Sequence, residues 1–295
     1  MTGQVALVTG GASGMGRATV ARFLDRGFAV VIADLNEKVA QEALAAFAEQ
    51  GAADRVTFVR TDVSEEADFE AAVATTVDTY GRIDVLVNAA GVGGAFGPLT
   101  EIEVEDWDYT FDVVLRSVFL GIKHAGRVMR AQGTGGAIVN FGSVGAYAAG
   151  IGLQPYSVAK AGVQHLTRMA SLEFAPDRIR VNAVSPGIIT TPLIGMTPDD
   201  LGPVVGSIQP LPYAGVADHV AAVVSFLASD DAAFITGEVV TVDGGLMAAG
   251  PQLGDMVNNN PALRGLVGVN RGSTGARSTI HRKIEVPAAA VEGAR

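Results

Sequence analysis

The sequence predicts an α/β protein: a doubly wound, parallel, seven-stranded sheet with helices on both faces, built as a single domain over residues 1–250. Three observations carry that expectation. Short β-branched runs alternate with longer helical segments to about residue 245, the pattern of strand–helix–strand units with right-handed crossovers. Most of the strand candidates, at 5–9, 29–33, 56–60, 85–88, 137–141, 180–184 and 239–242, are continuously apolar, as strands covered on both faces must be. The second helical segment places Ala40, Ala43, Leu44, Phe47 and Ala48 at helical spacing between charged residues, which gives one buried stripe.

Composition narrows the function. The chain has 295 residues, 48% of them apolar, and a formal charge of −10; such a charge repels nucleic-acid backbones and anionic membranes. No run approaches the ~20 apolar residues that span a bilayer, and the first apolar run lacks a basic leader, so a soluble cytoplasmic protein is expected. Without cysteine, and with four scattered histidines, no metal site is expected. Residues 251–295 hold six Lys/Arg and three acids, a net of +3, which leaves −13 on residues 1–250. That Gly- and Asn-rich tail reads as an extension, disordered or forming an interface.

The turn after the first strand reads TGGASGMG, with Gly10, Gly14 and Gly16. Glycines there allow a tight turn and close backbone approach, and the following helix offers free N–H groups to a pyrophosphate; a glycine-rich turn without a ligand is the plainer alternative. Asp34 ends the second strand, where a carboxylate can accept from both ribose hydroxyls and repel a 2′-phosphate, or can cap the next helix. No cation stands at Ser13 or Leu35, so NAD is expected over NADP. Asp62-Val63 is placed to hold the adenine, and Ser64 is the expected cap of the third helix.

GGAIVNFGS ends the fifth strand with Ser143, thirteen residues before Tyr156, and Tyr156 and Lys160 stand four apart on a helix, so they share a face. A tyrosine titrates near ~10, and a neighbouring ammonium is expected to lower that value. Alone, such a pair is more simply a packed, solvated helix face. With the glycine turn and Ser143, it suits proton transfer to an alcohol oxygen during hydride transfer.

TGGASGMG, the NAAG at 88–91, Ser143, YSVAK and SPGIITTP at 185–192 stand in the order and spacing of the short-chain dehydrogenase/reductase family, which the chain resembles from residue 4 to about 249. The resemblance implies a Rossmann sheet in the order 3-2-1-4-5-6-7, commonly in a tetramer, with NAD as cofactor and a secondary alcohol or ketone as small-molecule substrate. It makes Tyr156 the acid/base, Ser143 the donor to the substrate oxygen, and Lys160 both tuner of Tyr156 and ligand of the nicotinamide ribose. Gly10, Ser13, Gly14, Met15 and Gly16 would line the pyrophosphate, Asp34 and Leu35 the adenosine ribose, Asp62 and Val63 the adenine, and Asn88 the cofactor strand. Pro186, Gly187, Ile189 and Thr191 would border the nicotinamide.

Two positions depart from the family pattern. Ala89 stands where a second Asn is usual, and Val114 stands where the family has an Asn supporting a water between the lysine and solvent. Either a backbone carbonyl or another side chain holds that water, with Ser117, one turn on, a candidate, or the relay is altered; an active enzyme with a modified proton route is expected. Residues 193–214 occupy the place of a mobile substrate lid, with Leu193, Met196 and Leu201 as an apolar wall. In the tail, Leu253, Met256, Val257, Leu263, Leu266, Val267 and Val269 are candidates to pack across an interface or over the substrate pocket. An epimerase or dehydratase retaining its cofactor, and a non-catalytic NAD-binding scaffold, are the alternatives to an NAD-dependent alcohol dehydrogenase.

Overall fold

A computed structural model describes residues 3–150, 152–192, 195, 197–249, 266–269 and 279–285. The chain lays down β1 (Val5–Thr9), α1 (Gly14–Asp25), β2 (Ala29–Asp34), α2 (Glu37–Glu49), β3 (Val56–Arg60), α3 (Glu66–Tyr80) and β4 (Val85–Asn88). It continues through α4 (Val104–Phe111), α5 (Ser117–Gln132), β5 (Gly136–Phe141), α6 (Gln154–Phe174) and β6 (Ile179–Pro186). There follow β7 (Ile189–Thr190), α7 (Pro198–Ile208), β8 (Gly215–Val216), α8 (Ala217–Leu227), β9 (Val239–Val242) and α9 (Leu246–Ala249). Seven strands form one parallel sheet in the order β3-β2-β1-β4-β5-β6-β9, the order the resemblance implied. The strand order reverses beside β1, so a ligand crevice opens at the carboxyl edge between β1 and β4.

Alternate residues of each strand feed two cores. Ala6, Val8, Val30 and Ile32 pack with Phe23, Phe47 and Leu227 under α1, α2 and α8. Leu7, Val31 and Leu86 pack with Phe69, Met129 and Phe174 under α3, α5 and α6. In α2 the predicted stripe buries Ala40, Ala43 and Phe47, with Leu44 against the core, but Ala48 is exposed, since the stripe drifts round the helix towards its end.

Between α4 and α5, residues Asp112–Arg116 form a π-helical turn, so Phe111 runs into Ser117 without a break in the helix. Within the predicted lid, Leu193, Ile194 and Met196 lie outside the described residues. The rest contains α7, capped by Thr197 and Asp200 in a reciprocal box. Leu201 packs inward with Val205, Ala214 and Ile188, so on its own helix it is a core residue. Of the tail, Leu266–Val269 and Thr279–Lys283 pair as antiparallel strands β10 and β11, with a bulge. Leu253, Met256, Val257 and Leu263 lie outside the described residues.

Candidate active site

The cleft at the carboxyl edge encloses about 330 Å³. Its floor is the glycine turn. Gly10 has φ +64°, and a Cβ there would fall 2.8 Å from the Ala90 Cα; at Gly16 it would fall 2.1 Å from the Gly10 carbonyl oxygen. Any side chain at either position would force the turn open. Ser13 occupies the N-cap of α1 yet makes no capping hydrogen bond, and the first turn has no acid. The leading N–H groups therefore face the cleft unsatisfied by a cap, which fits a pyrophosphate.

Asp34 and Leu35 form the next wall. The Asp34 carboxylate accepts from the Ala12 N–H at 3.0 Å and from the Asn36 N–H at 3.0 Å, so it locks the glycine turn to the end of β2. It does not cap α2: the Asn36 side chain does, accepting from the Val39 N–H at 3.2 Å. Asp62 is fixed in turn, its Oδ1 accepting from the Ser64 N–H at 3.0 Å and the Ser64 hydroxyl at 2.6 Å. Ser64 thus serves Asp62, and Glu65 is the cap position of α3.

Gly10, Ser13, Gly14, Met15 and Gly16, the Asp34-Leu35 and Asp62-Val63 strand ends, and Thr191 all reach the cleft. Asn88, Pro186, Gly187 and Ile189 do not line it. Asn88 is buried, its amide donating to Asn140 Oδ1 at 2.8 Å, so its side chain ties β4 to β5. Pro186 pairs with Val242 across β6 and β9, Gly187 lies tight against Asp243, and Ile189 enters the core.

Thr9 was not singled out by the sequence, yet its hydroxyl accepts from Ala89 N–H at 3.1 Å and Ala90 N–H at 3.2 Å. It holds the loop after β4 against the cleft, which Tyr109 and Val113 also line.

At the other end, Ser143 follows β5 and opens a short 3₁₀ turn, its hydroxyl accepting from the Gly145 N–H at 3.1 Å. Gln164, buried one helical turn beyond Lys160, donates to the Ser143 carbonyl at 3.1 Å and to the Ser185 hydroxyl at 3.2 Å. It fixes the Ser143 backbone, a role visible only once α6 is laid along β5 and β6.

Lys160 is 4% exposed and donates to the Phe141 carbonyl at 2.6 Å. Burial lowers it to about 8. Burial likewise pushes the Tyr156 phenol up, while the Ser143 hydroxyl beside it pulls down. The expected lowering of Tyr156 by Lys160 does not appear: removal of the phenolate from water raises the phenol, and the opposing pull comes from Ser143. Val114 is fully buried in the π-helical turn. Ser117 donates to the Val113 carbonyl at 2.7 Å, so its proton serves its own helix.

Among the described residues no cluster of three or more His, Cys, Asp or Glu is placed to hold a metal, and no helix is long and apolar enough to cross a membrane. The glycine cradle fits a dinucleotide, and the serine–tyrosine–lysine group beside it fits proton transfer to an oxygen, which together define a nicotinamide-dependent oxidoreductase.

A family profile described as enoyl-(acyl carrier protein) reductase matches residues 10–247. The chain is 41% identical over 245 residues to cis-4-hydroxycyclohexanecarboxylate dehydrogenase of Sinomonas cyclohexanicum, covering 83% of this chain and 97% of that one. The crystal structure of levodione reductase superposes with a TM-score of 0.78 at 38% identity, over 83% of this chain and 98% of that one. A short-chain type dehydrogenase/reductase from Mycobacterium ulcerans gives a TM-score of 0.78 at 32% identity, over 90% and 98%. The protein belongs to the short-chain dehydrogenase/reductase family.

Proposed function

We propose that residues 1–250 form an NAD-dependent dehydrogenase of cyclic secondary alcohols and the corresponding ketones, with residues 251–295 as an extension. The observation that supports this reading is that Lys160, one turn after Tyr156 on α6, brings its Nζ to 4.0 Å from where a Cβ on Gly91 would stand, and Gly91 lines the same cleft as the glycine cradle. NAD as the cofactor rests on Asp34, whose carboxylate lines the cleft with no cation at Ser13 or Leu35; a 2′-phosphate would meet a like charge there. A cyclic substrate is supported by the relative named for a hydroxycyclohexanecarboxylate.

When bound, the nicotinamide supplies the hydride acceptor or donor. The chain's own residues handle the oxygen and its proton. The Ser143 hydroxyl donates to the substrate oxygen, and Tyr156 Oη receives the alcohol proton in oxidation or returns it in reduction. Lys160, anchored on the Phe141 carbonyl, holds positive charge near the phenol. Asp34, Asp62 and the α1 N-terminus bind and orient the dinucleotide, and the segment around α7 closes over the substrate and excludes water.

The enzyme works in the cytoplasm as a homo-oligomer, a tetramer by the family's habit. The apolar groove between the π-helical turn, α5 and α6, lined by Leu115, Phe119, Leu166 and Met169, supports self-association, since soluble chains seldom leave such a face bare. A panel of cyclic and acyclic secondary alcohols with NAD and NADP, followed at the nicotinamide absorbance band, tests the reading. Turnover with cyclic alcohols and NAD, absent in Tyr156→Phe, is expected; turnover only with NADP, or unchanged in Tyr156→Phe, overturns it.

A further inference from the structure

The strands β10 and β11 form a two-stranded sheet of their own, separate from the seven-stranded sheet. Two strands alone are at best marginally stable in water, so the hairpin needs a surface to rest on. Residues 279–285 are exposed on both faces of β11 and just beyond it, and they are apolar and basic: Ile280 is 65% exposed, Ile284 49%, and His281, Arg282 and Lys283 are also exposed, with Glu285 as the one acid among the described tail residues.

A surface of matching character stands on the main domain. From Leu99 into α4, Glu101, Glu103, Glu105, Asp106 and Asp108 are all exposed, and none forms an ion pair among the described residues. Between them stand Leu99 and Val104, 66% and 67% exposed, and Tyr109. Glu105 and Asp106 lie in the first turn of α4, where they favour the helix dipole; Glu101 and Asp108 have no such task. No cation occurs from residue 83 to residue 115. The patch therefore presents apolar side chains ringed by unpaired carboxylates, the complement of Ile280, Ile284, Arg282 and Lys283.

We propose that the C-terminal hairpin is an arm that docks on the α4 face of a second copy of this chain, at the rim of that copy's cleft. This rests on the homo-oligomer proposed above. The sixteen residues from 250 to 265 give a covalent reach of up to about 55 Å, enough to cross to a neighbour. Because Tyr109 belongs to both the acidic face and the cleft wall, the arm bears directly on the mouth of the neighbouring site.

The chain has no cysteine, so introduced thiols are unambiguous reporters. The full-length variant Ile280→Cys is co-expressed with a differently tagged Asp106→Cys chain, oxidised mildly, and run without reductant beside sedimentation of the same sample. A disulfide-linked heterodimer is expected, and it should not form when Glu70→Cys on α3 replaces Asp106→Cys. Reversing Arg282 and Lys283 to Glu should lower its yield about tenfold, the effect of roughly 1.4 kcal/mol, and Glu103→Lys with Glu105→Lys in the partner should restore it. An oligomer without the heterodimer overturns the arm and leaves self-association standing. A monomer overturns both, and a link that forms only when both cysteines share one chain places the arm on its own body and overturns the proposal.

Discussion

The Lys160 ammonium lies 5.6 Å from the centre of the Tyr156 ring and donates to the Phe141 carbonyl, not to the phenol. It is a buried cation held by the sheet and positioned beside Tyr156, the proposed acid/base. Burying that charge has measurable consequences.

Replacing Lys160 by Met should stabilise the fold while abolishing turnover. With a folded value near 8 against 10.5 unfolded, the unfolded chain holds the proton more tightly between those values. The cost of burying the charge is therefore in full force below about pH 8 and disappears as pH rises through 10.5. Lys160→Met should gain up to about 3 kcal/mol at pH 7, less the lost hydrogen bond to Phe141, and the gain should shrink to near zero by about pH 11. Chemical denaturation of both proteins across pH measures it.

The pH dependence should split by direction. Because burial raises Tyr156, the phenol is the dominant form at neutral pH, ready to donate in ketone reduction. Reduction should stay flat through neutrality and fall only in strongly alkaline solution, whereas alcohol oxidation, which needs the phenolate, should climb with pH. Initial rates in both directions across pH test this.

Asp34→Asn keeps an acceptor for the Ala12 N–H but removes the charge. It should lower the ratio of kcat/KM with NAD to that with NADP by about tenfold or more, while stability falls by no more than about 1 kcal/mol. Asp34→Ala, which loses the acceptors for both the Ala12 and Asn36 N–H groups, should cost about 1–3 kcal/mol more. Thermal denaturation beside cofactor kinetics separates the two roles.

Val114→Asn should change rate and pH profile if the lysine's proton route is altered in this chain. The valine is sealed in the π-helical turn, and the Ser117 proton is committed to the Val113 carbonyl. An unchanged rate and profile in the variant would show that the relay does not pass this position.

The sheet was legible because its strands are covered on both faces, so uninterrupted runs such as 5–9 and 29–33 announce themselves, and the glycine turn because Gly10 and Gly16 admit no side chain. What was not legible depends on distant neighbours. Asp34 and Ser64 carry capping chemistry, but Asp34 reaches back 22 residues to the Ala12 N–H, a tertiary contact, and Ser64 turns to Asp62 two residues before it, a local choice its residue type leaves open. The sign of the Tyr156 shift follows from burial, which no i, i+4 spacing encodes. Gln164 and Thr9 act on residues far away in sequence. β10 and β11 pair Leu266–Val269 with Thr279–Lys283, with no alternation strong enough to mark either strand.

The most direct test is reduction of NAD by a cyclic secondary alcohol, read at the nicotinamide band for the wild-type chain, Ser143→Ala and Tyr156→Phe. Robust turnover in the wild type, with losses of about 10²–10³ for Ser143→Ala and 10²–10⁴ or more for Tyr156→Phe, is predicted. Wild-type turnover that survives Tyr156→Phe undiminished would contradict the account.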